Sequence, residues 1–502
     1  MSRPLDHTTE GRGEITAMSD GTGTGVLLED LDDDGHVDIV LPNLAGETSI
    51  LWNAGDATFD RDVLAEGRFR QALSADVDAD GRRDILLTTG IGPPITMRST
   101  GPRSYERTEF RTAAVAYSIA AGALNGDDRL QIVTGSYNAE LTQNRDPRAL
   151  TGNGTGAALH TIDGGTIETE FLIESAQALA TLVVDLDGDG RQDVFMGNDL
   201  GTPDRIWFGS ADGLVLAEPF DTTTLSTMSL DVVDLDNDGD DDVIATDMAP
   251  MADADLDPWL EVMPDIEAAR VDDVQDPRNK LQFLADGVYT DRAPEYGFDA
   301  TGWSWSGVGG DLDNDGLPDL YVVNGMQATS IFTELPDGEL IEANQVFRNT
   351  GAGLEPMPGW ELADTAGGRG MAQGDLDGDG DLDIVVNNLG SPSVLFENRL
   401  CGGAAVIVDP VWDGAPNADA VGTVVTVRSG DLSARRQILS ARGYLSAPPT
   451  AAHVGLGDTT DRVSIDIVWP DGATSSVTDV EPGTAIAVTR TEGPIAVDGE
   501  DQ

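Results

Sequence analysis

The chain has 502 residues, 40% of them apolar, and a formal net charge of −61. This charge makes nucleic acid and anionic membranes poor partners, because both repel an acidic protein. The single cysteine, Cys401, excludes an intrachain disulfide and a thiolate metal cluster, and four scattered histidines disfavour a multi-histidine metal site. No apolar run approaches the roughly 18 residues of a membrane span, so we expect none.

The negative charge exceeds what the acidic motifs described below require. Six motifs use 24 of the 90 acidic residues, and the remaining 66 still exceed the 29 basic residues by 37. Lys280 is the only lysine. In molar salt the Debye length falls to about 3 Å, which screens such self-repulsion. The composition therefore predicts a halophilic, haloarchaeal source, and regular apolar segments argue against a disordered acidic chain.

The first twenty residues, MSRPLDHTTEGRGEITAMSD, contain no apolar core of a classical signal peptide. We expect either a mature or truncated chain or a protein that stays in the cytoplasm. Within this stretch, residues 13–18 (GEITAM) look like a short strand that precedes the first repeat.

A nine-residue motif, D-x-D-x-D-G-x-x-D, recurs along the chain and starts at Asp30, Asp76, Asp185, Asp234, Asp311 and Asp375. A worn copy, ALNGDDRLQ, starts at Ala123. The seven starts are separated by 46, 47, 62, 49, 77 and 64 residues. Periods of this size with strand-like content are typical of propeller blades of four strands each.

Each repeat has the same order of segments. A strand of small apolar residues precedes the acidic loop, and a β-branched strand and a second apolar run follow it. This order predicts an all-β fold: a seven-bladed β-propeller with calcium-binding loops over residues 1–400, plus a small C-terminal β domain. We expect residues 13–18 to close the last blade as its outer strand, which removes exposed edges. The acidic insertion in the gap of 77 residues is expected outside its blade and partly helical.

The motif has the chemistry of a hard-cation site. Carboxylates occupy positions 1, 3, 5 and 9, and glycine at position 6 permits a positive-φ turn. Position 7 varies widely, as a backbone carbonyl ligand would allow. Because every candidate donor is oxygen, the motif favours Ca²⁺ over Zn²⁺, with Mg²⁺ the weaker candidate.

The predicted metal-site residues are those at positions 1, 3, 5, 7 and 9 of the six intact motifs: Asp30, Asp32, Asp34, His36, Asp38; Asp76, Asp78, Asp80, Arg82, Asp84; Asp185, Asp187, Asp189, Arg191, Asp193; Asp234, Asp236, Asp238, Asp240, Asp242; Asp311, Asp313, Asp315, Leu317, Asp319; Asp375, Asp377, Asp379, Asp381, Asp383. About six structural Ca²⁺ ions follow, and the worn copy is expected to bind none. An EF-hand is excluded because position 12 is apolar in every motif instead of glutamate.

The repeats resemble the FG-GAP/VCBS repeats of integrin-α-type propellers, over about residues 14–400. The later segments NADAVGTVVTVRSG, ARGYLSAPPTAAHVGLGD and VSIDIVWPDGATSSVTDV resemble the ASPIC/UnbV module. We assign this module to residues 401–491, followed by an acidic tail at 492–502. Propeller and module together resemble the cartilage acidic protein family, which implies an extracellular or cell-surface location; a cytoplasmic location is the alternative.

We expect a non-catalytic calcium-binding propeller that acts in high salt as a protein- or glycan-binding adhesion module. The partner and the oligomeric state remain open. The alternatives are a polysaccharide-acting enzyme with its site at the propeller channel, or an intracellular assembly scaffold. The chain has no Gly-rich phosphate loop, H-E-x-x-H or G-x-S-x-G motif. His453 is expected to be a structural turn residue, and Trp303 and Trp305 to pack in a blade core instead of lining a ligand surface.

Overall fold

The computed structural model describes residues 1–11, 18–163, 165–400 and 402–490. These residues form an all-β, propeller-like fold, which confirms the predicted fold class. The predicted acidic tail and Cys401 lie outside the described residues.

Seven antiparallel sheets among the described residues, numbered blades 1 to 7, make up the larger part of the fold. The first strand of each blade contacts the first strand of the next. The first strand of blade 7, Gly368–Gly374, contacts that of blade 1, Leu27–Glu29. The sheets therefore form a closed ring in which the first strands surround the axis.

Each blade has four main strands, which follow one another outwards from the axis. Blade 1 comprises Leu27–Glu29, Asp38–Leu41, Glu47–Asn53 and Phe59–Glu66; blade 2 comprises Ala72–Ala75, Asp84–Leu87, Ile95–Gly101 and Ser104–Glu109. Blade 3 comprises Ser118–Gly122, Gln131–Gly135, Ala157–Asp163 and Thr166–Ile173; blade 4 comprises Ala178–Val184, Asp193–Asn198, Arg205–Ser210 and Gly213–Ala217. Blade 5 comprises Ser229–Val233, Asp242–Thr246, Lys280–Ala285 and Val288–Asp291; blade 6 comprises Gly302–Gly310, Asp319–Asn324, Gln345–Asn349 and Leu354–Pro356, with Met248–Ala249 at its inner edge. Blade 7 comprises Gly368–Gly374, Asp383–Asn388, Pro392–Phe396 and Ser2–Thr8.

Short elements fill the connections. Two small sheets pair Thr223–Thr224 with Gln275–Asp276 and Met326–Gln327 with Glu339–Leu340. The helices are Met18–Gly21, Asn138–Gln143, Arg148–Thr151, Trp259–Ala268 and Ala293–Tyr296, with 3-10 turns at Pro336–Gly338 and Pro358–Trp360. Trp259–Ala268 lies in the acidic insertion, where helix was expected. In the part of the chain that the structure describes, none of the helices has the length and apolar character needed to cross a membrane.

Several first strands contain glycine because adjacent blades approach closely near the axis. A Cβ atom at Gly122 would lie 2.2 Å from a methyl of Val183 in blade 4. A Cβ atom at Gly309 would lie 2.8 Å from Val233 in blade 5. Glycine thus leaves room for the neighbouring blade's apolar side chain, and the pairing stays densely packed.

The outer strand of blade 7 comes from the N-terminus, but from a different segment than expected. Ser2–Thr8 pairs antiparallel with Pro392–Phe396, with Ser2 opposite Phe396 and Pro4 opposite Val394. Leu5 and His7 are buried in this strand. The predicted segment, residues 13–18, lies outside the described residues except for Met18, which begins a helix.

The C-terminal part forms two small sheets packed on each other. One contains Ala405–Val411 between Ala452–Gly455 and Ala485–Thr489; the other, in spatial order, contains Leu432–Gln437, Val424–Ser429, Val463–Val468 and Thr474–Val480. Alternating apolar residues of both sheets enclose a core that includes Val425, Ile465 and Trp469.

This C-terminal domain inserts a segment, residues 442–449, into the centre of the ring. Gly443 N donates to Leu230 O of blade 5 at 2.7 Å, and Ala447 N donates to Val26 O beside blade 1 at 2.8 Å. Tyr444 is fully buried, its hydroxyl 2.8 Å from that of Tyr117. We call this segment the plug.

Candidate metal loops

The acidic loops follow the first strand of each blade, and we number them by blade. Loops 1, 2, 4, 5, 6 and 7 are residues 30–38, 76–84, 185–193, 234–242, 311–319 and 375–383, and worn loop 3 is residues 123–131. All six intact loops adopt positive φ at two places, position 4 (53–77°) and position 6 (82–101°). Position 6 was predicted from its glycine. Position 4 was not, although Asn, Asp or Gly in five of six loops was a usable signal.

Backbone N–H groups orient the carboxylates at positions 1 and 5. In every intact loop the position 1 carboxylate accepts from the glycine N–H of position 6 at 2.8–3.1 Å. The position 5 carboxylate accepts from the N–H of position 7 at 2.9–3.1 Å. Each loop therefore curls around its own acidic side chains.

The position 9 aspartate joins each loop to its blade. One oxygen accepts from the N–H of position 2 at 2.8–3.2 Å. The other accepts from a backbone N–H in or beside the third strand at 2.7–3.1 Å. These six aspartates are at most 1% exposed. Sequence reasoning gave this residue a ligand role and missed its role as a connection between strands.

The carboxylates of a loop converge on one point. In loops 1, 2, 4 and 5, oxygens from positions 1, 3 and 9 all lie within 4.8 Å of one another; in loop 6 the converging trio is positions 1, 3 and 5. Several of these oxygens lack a hydrogen-bond partner although they are buried: Asp32 Oδ1, Asp185 Oδ1 and Asp313 Oδ1. A buried carboxylate oxygen without a donor is costly unless a cation satisfies it. The residues present thus fit a hard cation with oxygen ligands.

Burial shifts the titration of these groups. Desolvation raises the pKa of Asp38, Asp84 and Asp193 to about 7. Desolvation likewise raises the pKa of the equivalent Asp242, Asp319 and Asp383 to about 8. Nearby loop carboxylates add to each shift. A bound cation would favour the ionised form and displace the proton.

Arginines lie across some loops but not in one common way. Arg103, from blade 2, hydrogen-bonds Asp32 and Asp34 of loop 1. Arg348, from the third strand of blade 6, binds Asp313 at 2.6 Å and Asp315 at 2.7 Å in loop 6. These guanidinium groups offset part of the repulsion between positions 3 and 5.

The side chains at position 7 have no shared role. Arg82 and Arg191 pair with the position 5 carboxylate of their own loops, whereas Asp381 accepts from Asn314 in loop 6. His36 lies against Gly55. A backbone ligand role for this position stays a prediction.

Worn loop 3 keeps part of the geometry without the charge. Asn125 N donates to Gln131 Oε1 at 3.1 Å, so the Gln131 amide ties the loop together as the position 9 carboxylate does elsewhere, but through the N–H of position 3 instead of position 2. Arg129 pairs with Asp127 at 3.0 Å. The loop has two acidic side chains, Asp127 and Asp128, in place of the four motif carboxylates, and the first is paired with Arg129, so it lacks the donor set of the intact loops.

Three asparagines link neighbouring blades at the loops. Asn53 Nδ2 donates to Leu376 O of loop 7, and Asn398 Nδ2 donates to Leu312 O of loop 6, at 2.8 and 2.7 Å. Asn349 Nδ2 likewise donates to Leu235 O of loop 5 at 2.7 Å. Sequence reasoning overlooked them, although each lies at the end of the second apolar run of its repeat.

Other candidate residues are buried. Trp303 and Trp305 are 4% and 2% exposed, and Trp305 Nε1 donates to Gly325 O at 2.6 Å. His453 lies in strand Ala452–Gly455, not in a turn, with Nε2 3.0 Å from Gly380 O. Burial lowers the pKa of His453 to about 4, so the ring is neutral and Nε2–H donates.

Family models match two kinds of segment in the chain. The FG-GAP-like repeat matches residues 30–87, 185–245 and 336–386, and the ASPIC and UnbV model matches residues 413–495. The chain is an FG-GAP-repeat protein with an ASPIC and UnbV domain. This result confirms the predicted resemblance for both parts of the FG-GAP-repeat protein.

No curated protein gave a match. Among solved structures, the FG-GAP-repeat protein is similar to BBS1N in complex with ARL6DN, with 10% identity, coverage of 80% of this chain and 97% of that chain, and a TM-score of 0.41. It is also similar to the V. cholerae biofilm matrix protein Bap1 (10% identity, 95% and 76% coverage, TM-score 0.34) and to Saccharomyces cerevisiae Sqt1 (10%, 74% and 83%, 0.34). With TM-scores below 0.5, these likenesses carry no functional inference.

Proposed function

We propose that this protein is a calcium-stabilised propeller that acts without catalysis as a protein- or glycan-binding module in high salt. FG-GAP repeats with an ASPIC and UnbV domain suggest an adhesion-type propeller, and a cell-surface or extracellular location goes with that role. The observation that carries the calcium proposal is the convergence of carboxylates in the loops, with buried oxygens such as Asp185 Oδ1 lacking a hydrogen-bond partner.

Metal analysis of the chain tests the calcium proposal. After gel filtration in molar KCl with trace Ca²⁺, we expect about six ions per chain, one for each intact loop. Asp78→Asn should remove one ion because it takes a converging carboxylate from loop 2. The matched control, Asp127→Asn in worn loop 3, should remove none. A chain that retains no Ca²⁺, or that loses the same amount in both variants, would contradict the proposal.

The filled centre of the ring supports a non-catalytic role. The plug occupies the axis, and the cavity beside it, lined by Val308, Gln373 and Arg442 among others, is only about 10 Å³. A polysaccharide-acting enzyme at the channel, the second candidate, would need a far larger opening. An intracellular scaffold is the third candidate.

A polysaccharide panel separates binding from catalysis. We expect retention of the protein on particular glycans or on a protein partner, with no release of shorter products. Release of reducing ends from any polysaccharide in molar salt would overturn the non-catalytic proposal.

A further inference from the structure

The C-terminal domain covers the face of the ring that carries the acidic loops. Its contacts reach atoms inside those loops. Gln437 is the clearest case: its Oε1 accepts from Asp185 N at 3.0 Å and its Nε2 donates to Asp185 O at 2.7 Å, in loop 4. The same Nε2 lies 2.6 Å from Asp241 of loop 5.

Loops 6 and 7 are contacted through their backbones as well. Gly457 N donates to Asn314 O in loop 6 at 2.7 Å, and His453 Nε2 donates to Gly380 O in loop 7 at 3.0 Å. Gly455 approaches loop 6 so closely that a side chain there would overlap Asp311 Oδ2. The fit depends on the path of the loop backbone.

Contacts also connect the C-terminal domain with loops 2 and 3, and loop 2 with loop 1. Arg83 in loop 2 pairs with Asp33 of loop 1 at 2.5 Å and with Asp419 of the C-terminal domain at 2.7 Å. Asn417 N donates to Asp128 O in worn loop 3 at 3.0 Å. The domain therefore contacts loops 2 to 7 directly and is connected with loop 1 through Arg83.

We infer that the C-terminal domain is the propeller's resident ligand, and that metal loading of the loops controls its docking and the insertion of the plug. The inference rests on the proposed calcium binding. The docking contacts meet loop backbones whose shape is set by their own carboxylates, and an ion that holds those carboxylates together preserves the docking surface. Without it, the ionised carboxylates of each loop repel one another and the backbone relaxes. By linkage, docking also raises metal affinity.

Two arginines of the C-terminal domain oppose this effect of metal loss on docking. Arg435 pairs with Asp241, and the buried Arg436 faces Asp234 and Asp311. Loss of the ions would strengthen the attraction of these two guanidinium groups to the loops. Because many of the other docking contacts are neutral hydrogen bonds that need a fixed backbone, we expect the loss of shape to dominate.

Hydrogen exchange of the intact chain tests the inference. The reporters are the N–H groups of Gly443 and Ala447 in the plug, followed in molar KCl with Ca²⁺ or with chelator. On chelation we expect their exchange to accelerate about tenfold or more, at a temperature where the far-UV signal of the sheets is unchanged. Unchanged or slower plug exchange, despite release of bound Ca²⁺, would overturn the inference and leave the calcium proposal standing.

Single substitutions, studied in the presence of Ca²⁺, test which contacts control plug exchange. Asp187→Asn removes one loop 4 carboxylate, and Gln437→Ala removes the docking contact to that loop; both should accelerate plug exchange, and Gln437→Ala should also weaken Ca²⁺ binding. Arg462→Ala is the control, since Arg462 pairs with Asp479 and Glu481 inside its own domain. Equal effects of all three variants would contradict the inference, whereas a chain that binds no Ca²⁺ would remove the calcium proposal and the inference together.

Discussion

Arg348 shows how one side chain sets the charge of a loop. Its guanidinium bridges Asp313 and Asp315, two of the three converging carboxylates of loop 6. A positive group this close repels a divalent ion and partly replaces it. We therefore expect Arg348→Ala to raise the Ca²⁺ affinity of loop 6 by about tenfold, or about 1.4 kcal/mol, and to lower the stability of the metal-free protein slightly.

Calorimetric titration with Ca²⁺ at fixed KCl measures this change, and melting in chelator measures the metal-free stability. Arg278→Ala is the matched control, because Arg278 is a half-exposed arginine whose partner, Asp299, lies outside every loop. Weaker Ca²⁺ binding in Arg348→Ala would show that the guanidinium supports the ion and does not compete with it.

At the scale of the element, the loop and its two flanking strands were predictable from sequence. Regular carboxylates followed by β-branched residues encode them locally, as in Asp311 to Asn324. The N-terminal strand was misplaced because only one of its two buried positions, Leu5, is apolar. His7 is buried and hydrogen-bonds Ser49 at 2.9 Å, so the inward-facing side of Ser2–Thr8 does not read as apolar.

The plug was not predictable for a different reason. Gly443 and Tyr444 contact residues hundreds of positions away, such as Leu230 and Tyr117, and such contacts leave no local periodicity. The sequence of the plug resembled part of the ASPIC/UnbV module. Nothing in it indicated that this part of the module packs inside the ring. Docking of the two parts is thus a property of tertiary packing.

On the scale of the molecule, charge and architecture act together. The loops concentrate carboxylates on one face of the ring, and the C-terminal domain buries part of that face. Apart from the 24 motif aspartates, acidic residues still outnumber basic residues by 37. Ions bound in the loops cannot neutralise that remainder, so free salt has to screen it.

We therefore expect the melting temperature of the Ca²⁺-saturated protein to rise steadily between 0.1 M and about 1 M KCl, where the Debye length falls from about 10 Å to about 3 Å. A variant with glutamine at exposed Glu109, Glu168, Glu170 and Glu218 carries less self-repulsion and should depend less on salt. Scanning calorimetry of both proteins at saturating Ca²⁺ measures the two slopes. A flat or falling curve for the native sequence, or equal slopes for the two proteins, would show that the excess charge does not limit stability and would remove the high-salt part of the proposed function.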